Sequence, residues 1–207
     1  MPASETILLF LSAAFLLTIS PGPDILGTIS IGLARGWRSA VGFGVGCGTG
    51  CLLHTLFAVI GVSAAVRASP MAFTVLKYCG AAYLVWLGIS ALRSRGGGVK
   101  EYSGQEQSGW QHFGKGLLAN SINPKVGIFF LSFLPGFVDK DANQPELHMA
   151  FFGLLFTGVA VVTFAAIGYF SGRIGGLLNS KPTIAVQLDR LAGLVFLALA
   201  VSFIWMA

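Results

Sequence analysis

The sequence has little charge: only 10% of its 207 residues are Asp, Glu, Lys or Arg, against about 25% in an average soluble domain. With 55% hydrophobic residues and a mean hydropathy of +0.78, such a chain cannot cover a water-facing surface with polar groups. This scarcity excludes a soluble globular domain, a disordered protein and a nucleic-acid-binding module. The formal net charge of +5 is therefore not a phosphate-binding patch, and the composition predicts an integral membrane protein.

Cysteine is also scarce, and the motifs of several chemistries are missing. The three cysteines, Cys47, Cys51 and Cys79, lie in apolar runs and do not indicate a disulfide framework. Cys47, Cys51 and His54 share one helical face, but three metal ligands without a fourth are more often packing residues. The glycines of 96–98 lack the Lys-Ser/Thr of a P-loop, and no nucleophile elbow is present. We expect no cofactor, no metal and no ATP-driven transport by this chain alone.

Long apolar runs are abundant. A spanning helix needs roughly 20 mostly apolar residues, and six runs reach that length: Thr6–Leu33, Ala40–Val66, Met71–Leu92, Phe113–Val138, Leu147–Phe170 and Thr183–Met206. The start of the chain has no basic segment, so we expect the first run to be a mature span and not a cleaved signal peptide. The long polar stretch 93–112 is predicted to be a linker between two three-helix units, 1–92 and 113–207.

The distribution of Lys and Arg predicts the orientation of the spans. If the six spans alternate, Arg67 and Lys140 fall on one side of the membrane. Eight basic residues fall on the other: Arg35, Arg38, Arg93, Arg95, Lys100, Lys115, Arg173 and Lys181. Positive charge is retained in the cytoplasm, so we expect a cytoplasmic linker and both termini outside, in the plasma (inner) membrane of a bacterium.

The two halves resemble each other. Ser20 and Pro23 align with Ser121 and Pro124, and spans three and six share a basic-x-x-Gly-x-x-aromatic-Leu pattern. Spans two and five match more weakly, through Ala40 with Ala150 and Gly48 with Gly158. An odd number of spans in each half means that the second half enters the membrane in the opposite sense. The prediction is an all-α fold of six helices in two inverted three-helix repeats, which is typical of transporters.

Glycine, at 28 residues, is about twice as frequent as its usual ~7%. Gly42, Gly46 and Gly50 recur every fourth residue in span two, with Gly44 and Gly48 beside them. Such a ridge lets another helix approach closely and predicts helix packing.

Proline breaks the first and fourth spans at equivalent places. Pro21-Gly22-Pro23 and Asn123-Pro124 should each end one half-helix and start another. Freed backbone groups in a bilayer are tolerated where protein or water satisfies them, so two matching breaks indicate a polar cavity between the repeats.

Asp24 and Lys125 directly follow these breaks. They are either a salt bridge that fixes helix packing or the two charges that bind a zwitterion. His54 is deep enough in span two to line the same cavity.

Several stretches together resemble one known family. They are Ser20-Pro21-Gly22-Pro23-Asp24; Gly32-Leu33-Ala34-Arg35-Gly36; Gly46, Gly50 and His54; 77–84 with Trp86-Leu87-Gly88; Asn120, Asn123-Pro124-Lys125, Phe129-Phe130 and Phe133-Leu134-Pro135; and 188–193. Over nearly its whole length the chain is similar to the lysine-exporter superfamily, and within it to the RhtB-type amino-acid efflux permeases. Gly136 stands where members often carry glutamine.

The resemblance implies export of amino acids or close derivatives, driven by the proton gradient, with alternating access between the two repeats. Asp24 is the one acidic residue well inside a predicted span, so we expect a neutral substrate such as homoserine, threonine or leucine. The expected partners are that amino acid, protons and membrane lipid, without nucleic acid; a homo-oligomer is left open. The predicted substrate-binding or proton-coupling residues are Asp24, Lys125, Asn123, Asn120, Pro21, Gly22, Pro23, Pro124 and His54.

Two other classes of protein fit the sequence less well than an exporter does. A channel or lipid-handling protein would need a continuous polar lining, which one Asp, one Lys and scattered Ser and Thr hardly provide. An intramembrane enzyme would have to use Asp24, His54 and Lys125, and the sequence supplies no convincing nucleophile. We therefore expect that the protein is not an enzyme.

Overall fold

In the computed structural model, the described residues are 2–20, 22–68, 70–94, 108–138 and 144–205. Their regular secondary structure is entirely helical, as the sequence predicts. The helices are α1 (Ser4–Ile19), α2 (Pro23–Arg35), α3 (Trp37–Ala68), α4 (Pro70–Leu92), α5 (Gly109–Ser121), α6 (Pro124–Phe133), α7 (Pro145–Tyr169), α8 (Ser171–Ser180) and α9 (Pro182–Trp205). A 3₁₀ turn, Leu134–Phe137, extends α6.

The helix boundaries follow the predicted apolar runs, with two differences. Helix α5 begins inside the predicted linker 93–112, because Ser108 and Gln111 form a capping box that satisfies two backbone N–H groups. The sequence already contains that Ser-x-x-Gln signal. Helix α8 occupies the segment between the predicted fifth and sixth spans. Most of the linker, residues 95–107, lies outside the described residues.

Among the described residues, two helices are long and apolar enough to cross a membrane unaided, within Trp37–Gly61 and Pro145–Tyr169. Two bent pairs reach that length if each counts as one span: α1 with α2, and α5 with α6 and its 3₁₀ extension. The described part of α4 includes a shorter apolar helix, Tyr78–Leu92. By length and composition the described chain thus has two to four candidate spans, fewer than the six predicted from the whole sequence.

Helix α3 lies at the centre and packs most extensively against α5 and α7. Gly42, Gly46 and Gly50 meet α5, where an added Cβ would collide with Gly109, Phe113 or Asn120. Gly44 and Gly48 meet α7 instead, and a Cβ on either would lie 2.6 Å from backbone atoms of Phe164 or Val161. The glycine ridge is therefore a packing surface, as predicted, with one face toward each neighbour.

Two helix pairs run antiparallel. Along α3, Gly44 lies against Phe164 and Gly48 against Val161, so the residue numbers fall in α7 as they rise in α3. In the same way α4 packs on α9, where Gly88 meets Leu197 and Leu92 meets Gly193. Each pair joins helices that the sequence alignment treats as repeat counterparts.

The apolar core lies where α1, α6 and α7 converge. Its largest fully buried side chains are phenylalanines, including Phe10, Phe129, Phe130, Phe152 and Phe156. Phe10 is 4.8 Å from Phe152 between ring centroids, and Phe130 is 4.8 Å from Phe156. Phe156 of this aromatic layer also borders the space between the two helix breaks.

Candidate functional site

The first break separates α1 from α2 by a bend of 51°. Gly22 is the N-cap of α2 in an extended conformation, and Pro23 occupies the first helical position. Proline suits that position because its missing N–H would have no intrahelical partner there. The prediction that Pro23 starts a new half-helix is confirmed, whereas Pro21 lies outside the described residues.

The second break separates α5 from α6 and has a similar bend of 54°. Asn123 is the N-cap of α6, and its side-chain oxygen accepts a hydrogen bond from the Lys125 backbone N–H at 3.0 Å. Pro124 holds the first helical position, as Pro23 does in α2. The two predicted breaks are therefore present, and both α2 and α6 begin with a proline.

Asp24 lies in the first turn of α2 and is only 6% exposed. Its Oδ2 accepts hydrogen bonds from Asn120 Nδ2 at 2.8 Å and Asn123 Nδ2 at 3.1 Å. Both donors belong to the other break. A buried carboxylate needs such donors, and its position at a helix N-terminus also stabilises negative charge.

Lys125 lies in the first turn of α6 and reaches back to the first break. Its Nζ donates to Ser20 Oγ at 3.0 Å and approaches the Ser20 carbonyl oxygen at 3.4 Å. The ammonium lies 5.2 Å from the centroid of the Phe196 ring of α9. A Cβ on Gly22 would lie 3.2 Å from Nζ, so glycine leaves room for the lysine at this point.

Asp24 of the first break is thus bonded to residues of the second break, and Lys125 of the second break is bonded to a residue of the first. Among the described residues, Asp24 and Lys125 form no ion pair within 4.0 Å, so the simple salt bridge weighed from the sequence is absent here. The electrostatic settings also differ. The N-terminus of α2 stabilises Asp24, whereas the N-terminus of α6 disfavours the positive Lys125. The acceptors that the described residues offer to the Lys125 ammonium, the hydroxyl and carbonyl oxygens of Ser20, are neutral.

Asn120 connects the site to α3. It is fully buried, and its side-chain oxygen lies 3.7 Å from Cys51 Sγ. Its carbonyl oxygen is 2.8 Å from His54 Nε2. His54, which the sequence predicts to line the cavity, is therefore a neighbour of Asn120. In the described structure it makes no direct contact with Asp24 or Lys125.

The space between the breaks is small. A cavity of about 30 Å³ is lined by polar residues of both breaks and by apolar residues of α1, α2 and α7. That volume accommodates about two water molecules, whereas small-molecule sites usually measure about 300–1,000 Å³. The described conformation is therefore closed around its polar groups. In the described part of the chain, no three His, Cys, Asp or Glu side chains are grouped to hold a metal ion.

The structure brings together all the described residues that the sequence predicts to bind substrate or couple protons: Gly22, Pro23, Asp24, His54, Asn120, Asn123, Pro124 and Lys125. The motifs did not predict that Ser20 and Phe196 contact Lys125, although Ser20 is one of the residues that align the two halves. Asp189 of α9, which belongs to the family motifs but was not predicted as a site residue, is half-buried and accepts a hydrogen bond from Ser94 at 2.5 Å. Asp189 is six residues from the start of the predicted sixth span, so it lies nearer a span end than Asp24 does.

Taken together, two broken helices whose charged first turns meet between long apolar helices define a membrane protein with a buried polar site. Residues 15–207 match the family of LysE type translocators. The chain belongs to this family, which confirms the resemblance drawn from its motifs. It is accordingly a multi-pass bacterial membrane protein.

Individual relatives are similar along much of the chain. An uncharacterized membrane protein of Vibrio cholerae is 33% identical over 196 residues, covering 92% of each chain. The leucine efflux protein of Klebsiella pneumoniae is 29% identical over 201 residues, covering 93% of this chain and 92% of its own. The homoserine/homoserine lactone efflux protein of Salmonella typhimurium is 33% identical over 138 residues, covering 67% of this chain and 66% of its own. No solved structure gives a significant match.

Proposed function

We propose that this protein is a secondary-active exporter of neutral amino acids or close derivatives, coupled to protons. The observation that carries the proposal is the meeting of two helix breaks, one with Asp24 and the other with Lys125. The hydrogen-bond partners that the described residues provide for these two charges are neutral. Family membership favours transport over catalysis, and relatives named as homoserine and leucine efflux proteins favour an amino-acid substrate.

The carboxylate of the substrate would bind at Lys125. The N-terminus of α6 and the Lys125 ammonium both attract an anion, and Ser20, the hydrogen-bond partner of the ammonium, is uncharged. A carboxylate arriving there would replace a neutral acceptor with a charged one, and hydrogen bonds between charged groups are stronger. This site selects for the group that all free amino acids share.

The ammonium of the substrate would bind at Asp24. One carboxylate oxygen, Oδ2, already accepts from two amide groups, and a carboxylate has further acceptor capacity. One acid and one base match the charges of a neutral amino acid, which carries one of each. A dibasic substrate would bring a second positive charge for which these two residues provide no partner.

Transport by alternating access would require the two breaks to separate, because the cavity of about 30 Å³ is too small for an amino acid. Two inverted repeats offer the two bodies for such a motion. The antiparallel packing of α3 on α7 and of α4 on α9 supports this arrangement, because a two-fold axis in the membrane plane places repeat counterparts antiparallel. Asp24 is the acid that we propose couples the motion to protons.

The test is transport of labelled neutral amino acids into inverted membrane vesicles, with and without an imposed proton gradient. Lys125→Met removes the ammonium and keeps most of the side-chain volume. We expect uptake about 10- to 100-fold below native, the equivalent of losing one hydrogen bond to a charged group. Lys181→Met, at the exposed end of α8, is the matched control and should transport normally. Native uptake by Lys125→Met at equal abundance would refute the proposed carboxylate site.

A further inference from the structure

Pro124 leaves the carbonyl of Asn120 without its usual helical partner. In a continuous helix that carbonyl would accept from the backbone N–H of residue 124, and proline has none. Asn120 is fully buried, so bulk water cannot take the place of the missing donor. A backbone carbonyl at membrane depth requires a replacement.

His54 supplies one replacement. Its Nε2 lies 2.8 Å from the Asn120 carbonyl oxygen, which also accepts from the Asn123 backbone N–H at 2.8 Å. A carbonyl can only accept, so Nε2 carries the proton. On α6, the Phe130 ring lies 5.9 Å from the imidazole, and a Cβ on Gly127 would lie 3.3 Å from Nδ1. The histidine therefore connects α3 to both halves of the broken helix.

The residue that His54 holds is also the one that contacts the buried acid. Asn120 donates its side-chain amide to Asp24 at 2.8 Å, while its side-chain oxygen faces the Cys51 thiol. If the carbonyl of Asn120 shifted, the amide that orients Asp24 would shift with it.

We propose that His54 is a positioning residue: by donating Nε2–H to the carbonyl freed by Pro124, it fixes Asn120 and, through Asn120, the Asp24 carboxylate. It acts as a constant donor and not as a proton carrier. This inference deepens the proposed function and relies on it for its transport readout. The titratable groups around the imidazole, Asp24 beyond Asn120 and the Cys51 thiol, are both bonded to Asn120.

Two amide substitutions separate donation from titration. Glutamine extends its amide about as far as Nε2 and cannot titrate, whereas asparagine ends near the position of Nδ1. We expect His54→Gln to keep most of the gradient-driven accumulation. In His54→Asn, accumulation should fall about 10- to 100-fold, the size of effect found when a side chain that orients a metal ligand is replaced. Both variants should reach native membrane abundance.

The other outcomes contradict the proposal. If His54→Gln keeps downhill exchange but loses accumulation, His54 titrates during coupling. If both variants fail, or both transport normally, the Nε2–H donor is not what matters.

A spectroscopic measurement decides the same point without transport. Nitrogen NMR of protein labelled at its three histidines reports which ring nitrogen carries a proton, and the His54 signal is the one missing in His54→Gln. We expect a neutral ring with the proton on Nε2 at neutral pH. A proton on Nδ1, or on both nitrogens, would overturn the assignment. If native vesicles move no amino acid, the proposed function fails while this measurement still tests His54.

Discussion

Asp24 and Lys125 occupy equivalent positions in two half-helices but are stabilised to different degrees. The helix dipole and two amide donors stabilise Asp24. Lys125 faces the positive end of its own helix and has Ser20 and an aromatic ring as partners. A charge at mid-span costs about 2.5–3.5 kcal/mol on insertion scales. Because its hydrogen-bond acceptors among the described residues are neutral, Lys125 is the residue whose charge needs a functional explanation.

At this scale we predict that Asp24→Asn abolishes proton-driven accumulation and leaves slow downhill exchange. Asparagine keeps a carbonyl oxygen that accepts from Asn120 or Asn123 but cannot carry the negative charge. Flux under an imposed pH gradient is compared with counterflow at equal pH. Glu146→Gln, in the first turn of α7, is the control and should behave as native. Native accumulation by Asp24→Asn would remove Asp24 as the coupling residue.

At the scale of the helices, glycine determines which helices can pack closely against each other. Gly48 in α3 lies against the α7 backbone, whereas its repeat counterpart in α7, Gly158, has no atom within 4 Å of an added Cβ. The repeat alignment matches these two glycines, yet only the first is at a close helix contact. The likeness between the two halves of the sequence therefore does not extend to every packing contact.

We predict that Gly48→Ala destabilises the protein by about 1–3 kcal/mol, the usual cost of overpacking. Its Cβ would lie 2.6 Å from Val161 backbone atoms, which cannot move without displacing α7. Gly158→Ala should be neutral or stabilising by up to about 1 kcal/mol, because alanine favours a helix. Thermal unfolding midpoints in detergent check both. Equal effects of the two substitutions would contradict the close α3–α7 contact.

At the scale of the whole molecule, the charges of the loops predict the orientation in the membrane. Eight basic residues on the linker side against two on the other predict that the linker is retained in the cytoplasm. We predict that reporter fusions at Gly97 are cytoplasmic and that fusions at Ala207 are outside; both positions lie outside the described residues. An external Gly97 would reverse the direction of transport proposed above.

Local chemistry in the sequence determined the helices and their breaks. Apolar runs predicted the segments that became α3, α4, α7 and α9, because burial and hydrogen bonding favour a helix wherever a long run is apolar. Proline determined where the broken helices begin, through a steric effect that needs no partner. The signal missed was also local, the Ser108–Gln111 capping box.

Tertiary structure alone decided which groups meet at the breaks. Asp24 is held by amides 96 and 99 residues away, and Lys125 by a serine 105 residues away. From the sequence, Asp24 and Lys125 could have formed a direct ion pair. In the folded chain each side chain instead contacts residues of the opposite break. The Asn120 carbonyl likewise found its donor in His54 of α3. These contacts depend on how the helices pack around the α3 glycines, and neither hydropathy nor proline spacing specifies that relative placement.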